Sequence, residues 1–399
     1  MRAFNALARG RLDFSKLRSI SLGGGEDFNM FQNLRDLRSV VLDSIWLDHI
    51  QPVIPWAQLT HLTAKGFTFR GFLDIMNMTS TVNLRQISFD LEPRESDLYP
   101  WRRSPDTDEE FMDAPEERIT RENLTELAVY EGRVKYSHAL QHLRAPLLKT
   151  LTVGVSSGWG GLEPEPDDEP QDLEHFVPDP DVLEPYMLND FFRSSGTTHL
   201  QKLVLLSAWR HSSWPDHRDD DPFYDLRITE LIVGGGVVRK FAEPFLLLLP
   251  QPRFLPCLRR LEIRCHERDN DEWQNPYYVN NEDDENRDEV DDDTVLPYED
   301  HDEQDSEDEL EDDATGGWPQ GEWNFPSVLW SAGHAILRRN AASGRYRDLT
   351  RIQIFKLLSD GKNPKMYQVD EERLQHIKRL QASGVVVVAG SEDNKHTVI

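Results

Sequence analysis

The fold is decided by a six-residue stretch, LRSISL at residues 17–22, whose pattern returns nine more times along the chain. In each copy an apolar residue is followed by two spacers, an aliphatic residue, one spacer and a second apolar residue. This hexad is typical of the strand in a leucine-rich repeat. The ten copies are LRSISL (17–22), LRSVVL (37–42), LTHLTA (59–64), LRQISF (84–89), LTELAV (124–129), LKTLTV (148–153), LQKLVL (200–205), ITELIV (228–233), LRRLEI (258–263) and LTRIQI (349–354). A strand with one apolar side must stack on a neighbour, so ten copies in order predict one long sheet.

The hexads also predict which side chains face the core. Side chains alternate between the two faces of a strand, so Ile20 and Leu22 point inward while Ser19 and Ser21 point outward. Between the hexads, apolar residues three or four apart predict short helices, as in FRGFLDIMNM from Phe69. We therefore expect an α/β fold. Its architecture would be an irregular leucine-rich-repeat-like solenoid of about ten mostly parallel strands, with short helices on the convex side and a solvent-exposed concave face.

Three insertions interrupt this array. Regular repeats carry an Asn or Cys three residues after the hexad, and none of the ten copies has one, which predicts a looser and less uniform stack. Segments rich in acids and proline predict mobile insertions at about residues 92–117 and 162–181 and a disordered acidic insertion at 266–318. The expected organisation is an array over residues 1–265, the acidic insertion, and C-terminal repeats with a closing helix and strand over 319–399.

One segment carries most of the negative charge. Residues 281–313 hold twenty Asp and Glu against one Arg, a net charge of −19 out of −28 for the chain. The segment is either a solvating insertion or an acidic chaperone or nucleic-acid mimic that binds basic proteins. Ser306 is followed by acids and is a candidate phosphorylation site for an acidophilic kinase. The net negative charge of the chain argues against direct binding of nucleic acid, because phosphate contacts need clustered Lys and Arg.

The sequence offers no pattern typical of catalysis. No phosphate-binding loop or catalytic signature occurs, so we expect no enzyme and no cofactor. His211 and His217 lie near Asp219–Asp221, but a solvated loop explains this composition better than a metal site does. Cys257 and Cys265 fit no metal motif and are expected to be reduced thiols, which favours a cytoplasmic or nuclear location. No apolar stretch is long enough for a signal peptide or a membrane span.

The outward hexad positions supply the candidate binding surface. Mixed charges with one aromatic ring suit a polar protein partner, so the sequence predicts a non-catalytic protein–protein interaction module that binds on its concave face. The candidate residues are His61, Lys65, Asp90, Tyr130, Lys202, Arg260, Glu262, Arg264 and Arg351.

Three stretches carry a resemblance to a known family. IPWAQLTHLTAKG (54–66), LPCLRRLEIRC (255–265) and IKRLQASGVVVV (377–388) resemble the F-box-associated leucine-rich-repeat-like proteins abundant in mushroom-forming fungi. The resemblance implies that the repeats recruit a substrate, while an N-terminal F-box docks a Skp-type adaptor of a cullin ubiquitin ligase. The first hexad begins at Leu17 and no L-P-x-E stretch precedes it, so we expect the substrate-recruiting part without the F-box and without its adaptor contact.

Overall fold

The computed structural model describes residues 16–23, 34–45, 54–91, 118–131, 138–155, 185–196, 198–206, 223–234, 245–265, 325–359 and 371–391. The strands are β1 Ser19–Gly23, β2 Ser39–Asp43, β3 His61–Phe67, β4 Gln86–Leu91, β5 Ile119–Thr120, β6 Glu126–Glu131, β7 Leu143–Arg144, β8 Thr150–Val155, β9 Lys202–Leu206, β10 Glu230–Val233, β11 Arg260–Cys265, β12 Ile354–Ser359 and β13 Val386–Ser391. The main helices are α1 Phe69–Asn77, α2 His138–Gln141, α3 Pro185–Ser195, α4 Phe325–Ser343 and α5 Glu371–Ala382.

Eleven of these strands form one sheet in which every neighbouring pair is parallel. The spatial order is β1-β2-β3-β4-β6-β8-β9-β10-β11-β12-β13, and β5 pairs with β7 in a separate parallel ladder. Since the spatial order follows the chain order, each strand is laid beside the one before it. The expectation of an α/β fold with a large parallel sheet is confirmed. The eleventh strand is the VVVVAG segment that the sequence predicted as the closing strand.

The first nine hexads are strands with the predicted inward side chains. In each of them the strand begins two residues after the start of the hexad. In the third copy, Leu59, Leu62 and Ala64 are 0%, 2% and 0% exposed. The alternation is weaker on β9 to β11, where the outward Val204, Ile232 and Glu262 are buried as well. Each fully buried Leu, Ile or Val contributes about 1.5–3 kcal/mol relative to an exposed one. The inward positions of the nine strands form one continuous core, except that Ile20 on β1 is partly buried and packs against it.

The tenth hexad was assigned to the wrong residues. The strand predicted within LTRIQI at 349–354 lies instead at β12, and its pairing with β11 aligns Arg260 with Ile354. The repeat is therefore IQIFKL at 352–357, in which Phe355 and Leu357 are both 0% exposed. Both readings satisfy the spacing, because apolar residues recur throughout 349–357. The larger Phe355 and Leu357 pair fills the core, while Leu349 is buried in the turn that follows α4.

A main-chain hydrogen-bond ladder ties together the strand entrances. The amides of the second and third hexad residues both donate to the carbonyl of the second residue in the preceding hexad. Thr60 and His61 donate to the Arg38 carbonyl at 2.8 and 3.0 Å, and Gln353 and Ile354 donate to the Arg259 carbonyl at 2.8 and 3.1 Å. The same paired contact occurs at every step from β1 to β12. It satisfies the entrance amides and gives the stack a regularity that does not need an Asn ladder.

The helices cover the inward face of the sheet. Thr68 caps α1 by accepting a hydrogen bond from the Gly71 amide at 3.2 Å, and Phe72 then packs edge-on against Phe89 with ring centres 4.8 Å apart. At the other end of the sheet, α5 ends at Ala382, and the chain then turns through Gly384, whose φ of +85° suits a residue without a side chain.

Several predictions fall on residues outside the described ranges. They concern the insertions at 92–117, 162–181 and 266–318, the acidic run at 281–313, Ser306, and the His211, His217 and Asp219–Asp221 group. These predictions, and the division of the chain that depends on them, remain untested.

Candidate protein-binding face

The outward side chains of the sheet line up in three rows, which we call the open face. The first row is Ser19, Ser39, His61, Gln86, Glu126, Thr150, Lys202, Glu230, Arg260, Ile354 and Val386. The second row is Ser21, Val41, Thr63, Ser88, Ala128, Thr152, Val204, Ile232, Glu262, Lys356 and Val388. The third row is Gly23, Asp43, Lys65, Asp90, Tyr130, Gly154, Leu206, Gly234, Arg264, Leu358 and Gly390. Neighbours within a row are about 4.8 Å apart.

Eight of the nine candidate residues lie on the open face. They are His61, Lys65, Asp90, Tyr130, Lys202, Arg260, Glu262 and Arg264. Arg351 does not, because it precedes β12 and its guanidinium donates to the Ser383 carbonyl at 2.8 Å. The sequence placed it on the face only because the tenth hexad was read three residues too early.

A charged network occupies the open face at β9 to β11. Both carboxylate oxygens of Glu262 accept hydrogen bonds, one from Arg260 at 2.9 Å and the other from Arg264 at 2.9 Å. Arg260 also donates to Glu230 at 2.8 Å, and Lys202 lies 3.6 Å from the same carboxylate. The Glu262 side chain is only 3% exposed, although it lies on the face opposite the core.

The network keeps its members charged. Burial by itself would raise the pKa of Glu262, but the hydrogen bonds from Arg264 and Arg260 outweigh it and hold that pKa below the ordinary value. Burial would likewise lower the pKa of Arg260, but Glu262 and Glu230 outweigh it and raise that pKa. Both pKa shifts favour the charged form of the residue, so the network is an array of ion pairs at neutral pH.

Two glycines in the third row make room for long side chains. A Cβ atom at Gly154 would lie 2.8 Å from the Tyr130 ring, and one at Gly234 would lie 3.1 Å from the Cβ of Arg264. Tyr130 therefore packs against the strand beside it. Burial raises the pKa of Tyr130 and Asp90 raises it further, while Arg264 opposes both. Sequence reasoning missed this packing role of Gly234.

The sequence also missed other members of the face. Glu230 fits the outward rule and could have been found by it, since it is the third residue of its hexad. Ile354, Lys356 and Leu358 were hidden by the shifted tenth hexad. Val386 and Val388 were missed because the closing strand carries no hexad from which its outward positions could be assigned, although Val386 is 59% exposed.

Three further findings concern the described residues. Within them, no group of three or more His, Cys, Asp or Glu is placed to hold a metal ion. The helices of the described ranges are all too short or too polar to cross a lipid bilayer. Cys257 is a free thiol.

A scan of the chain against models of known protein families found no match, and neither did a search of curated proteins. The resemblance to the F-box-associated repeat proteins therefore remains a prediction.

Proposed function

We propose that the chain is a non-catalytic protein-interaction module that binds a protein partner on the open face. The observation that carries this proposal is the continuity of the three rows, which run in register across eleven parallel strands. We also propose that the sheet belongs to an irregular leucine-rich-repeat-like solenoid, in which such rows form an extended ligand surface.

The size of the open face suits a protein rather than a small molecule. Ten steps of about 4.8 Å give a length of about 48 Å. A typical stable interface buries about 800 Å² on each partner, which a surface of this length can supply. The mixture of ion pairs, Tyr130, small polar residues and aliphatic side chains is also the mixture found in protein interfaces.

The resemblance supports a more specific role. In the family that the sequence resembles, the repeats recruit substrates to a ubiquitin ligase. We propose that the open face is a substrate-recruiting surface of this kind.

The experiment compares the proteins retained by the immobilised chain and by two variants. The face variant combines His61→Glu and Lys65→Glu, because both side chains are exposed on β3 and neither belongs to the Glu262 network. The control combines Lys378→Glu with Arg345→Glu, which are exposed on α5 and after α4. Arg260 and Arg264 are avoided, since they neutralise a buried carboxylate. We expect a partner retained by the wild type and the control to be lost from the face variant, and identical retained sets would contradict the proposal.

The acidic run at 281–313 supports a rival proposal, an acidic chaperone or mimic that binds basic proteins. Its net charge of −19 is the observation in its favour. Deleting the run and measuring binding of a polylysine peptide over a salt series separates the two proposals, because this attraction is screened by salt. Binding that survives the deletion, or that ignores salt, rules the rival out.

A further inference from the structure

The open face is mostly aliphatic on its last two strands, β12 and β13. On β12 and β13 the outward side chains are Ile354, Lys356, Leu358, Val386 and Val388, so four aliphatic residues accompany one lysine. We call this group the Lys356 patch. Val386 is 59% exposed, the largest fraction among the exposed large hydrophobic residues of the described ranges. The other four members are half-buried. Partly exposed aliphatic groups gathered beside one charge are typical of interaction sites rather than of solvated sheet surface.

The pairing of β12 with β13 brings the patch together. Ile354 lies beside Val386, Lys356 beside Val388, and Leu358 beside Gly390. The Lys356 patch is thus a group of aliphatic side chains with one ammonium group, bordered on the β11 side by Arg260, Glu262 and Arg264.

Lys356 lacks a counter-charge although a carboxylate is its neighbour. On β11 the residue beside Lys356 is Glu262, but both oxygens of Glu262 are taken by Arg260 and Arg264. Within the described part of the chain, Lys356 makes no ion pair or side-chain hydrogen bond. Covering this ammonium with a purely apolar partner would be costly, since a buried charge needs an opposite charge or hydrogen-bond acceptors.

The lack of a counter-charge at Lys356 and the aliphatic residues beside it indicate what kind of segment binds the patch. We propose that the Lys356 patch is a docking subsite for a segment of a partner protein in which one Asp or Glu lies between apolar residues. The carboxylate pairs with Lys356, and the apolar side chains cover Ile354, Val386 and Val388. A purely acidic segment leaves the valines exposed, and a nucleic acid needs more clustered cations than one lysine. This inference rests on the proposed function and names the kind of partner that the open face selects.

The test uses a display library of random dodecapeptides selected against the full chain. The wild type is compared with Lys356→Glu, Lys356→Met and the control Lys378→Glu, after thermal melting has shown that all four fold. We expect the wild type and the control to enrich peptides with an acid flanked by apolar residues. Lys356→Glu should enrich Lys or Arg at that place instead, and Lys356→Met should keep the apolar preference without the acid. A peptide enriched on the wild type should bind Lys356→Glu at least tenfold more weakly.

Other occupants would overturn the inference. The absence of enrichment, or the same consensus from all four proteins, contradicts it. If peptides are enriched only after residues 281–313 are removed, the chain's own acidic run occupies the patch. If sedimentation shows a dimer that Lys356→Glu dissociates, a second copy occupies it. A partner lost from the His61→Glu and Lys65→Glu variant but retained by Lys356→Glu leaves the proposed function standing and removes only this subsite.

Discussion

At the scale of single residues, Glu262 is the most constrained group on the open face. Its side chain is 3% exposed, and its charge is neutralised by two arginines whose side chains are 28% and 36% exposed. Removing one member of a buried ion-pair network is costly because the remaining charges stay partly desolvated. The network thus ties β10 and β11 together on the side of the sheet away from the core.

We expect Glu262→Gln to lower the free energy of unfolding by about 2 kcal/mol, since Arg260 and Arg264 lose their shared counter-charge. Glu230→Gln is the matched control, because its side chain is 26% exposed and water can replace the lost pair. The control should cost less than about 1 kcal/mol. Urea unfolding measures both values, and equal losses in the two variants would contradict this view of Glu262.

A second constrained residue, His376, packs between two helices. It is 2% exposed, and neither ring nitrogen has a hydrogen-bond partner among the described residues. Its ring centre lies 4.3 Å from that of His334 and 4.7 Å from that of Trp330, both on α4. Burial lowers the pKa of His376 to about 4, helped by His334 and Arg379. Burial also lowers the pKa of His334, helped by Arg338 and Arg379.

This environment predicts a loss of stability in acid. Between the ordinary pKa of 6.5 and the folded pKa of about 4, the unfolded chain binds a proton at His376 that the folded chain does not. The free energy of unfolding is therefore highest above pH 6.5. It falls by about 3 kcal/mol in all as the pH drops from 6.5 towards 4. We expect His376→Gln to flatten the pH dependence of the unfolding free energy in this window. Parallel curves for the two proteins would contradict the assignment.

At the scale of elements, α4 is held by a buried arginine. Arg339 is 0% exposed, and its guanidinium donates to the carbonyls of Leu249, Phe254, Leu255, Pro256 and Thr350. Burial lowers its pKa to about 10, so it remains charged at neutral pH. The contacts fasten α4 to the loop that leads into β11 and to the turn before β12.

We expect Arg339→Met to lower the free energy of unfolding by at least about 3 kcal/mol, because several buried carbonyls lose their donors at once. Arg338→Met removes the same charge from the exposed side of α4 and should change stability by less than about 0.5 kcal/mol. Thermal or urea unfolding of the two variants checks the difference. A small effect at Arg339 would show that water replaces its contacts.

Some of these elements could be predicted from the sequence, and others could not. The first nine strands and α1 could be predicted because alternation and helical spacing are local signals. The register of β12 could not, because the apolar residues between Leu349 and Leu357 fit the hexad in two ways and only the pairing with β11 decides between them. The role of Arg339 was also out of reach, since its carbonyl partners on the loop before β11 lie 83 to 90 positions away in the chain.

At the scale of the whole molecule, the acidic run should be separable from the sheet. Loop-closure entropy grows only with the logarithm of loop length, so shortening the connection from β11 to α4 changes stability by about 1 kcal/mol or less. We expect replacement of residues 281–313 by a short Gly/Ser linker to leave the melting temperature nearly unchanged at low and high salt. A fall of many degrees would show that the run packs against the sheet.

The central claim, that the open face binds a protein, is tested most directly by lysine footprinting of the complex. Lys65, Lys202 and Lys356 lie on the open face, while the exposed Lys149 and Lys378 lie outside its rows. The chain is acetylated with and without the partner retained in the capture experiment, and modification is quantified at each lysine by mass spectrometry. We expect one or more of the open-face lysines to be protected from acetylation in the complex, while Lys149 and Lys378 keep their reactivity. Protection confined to Lys149 or Lys378, with all three open-face lysines fully reactive, would contradict the central claim.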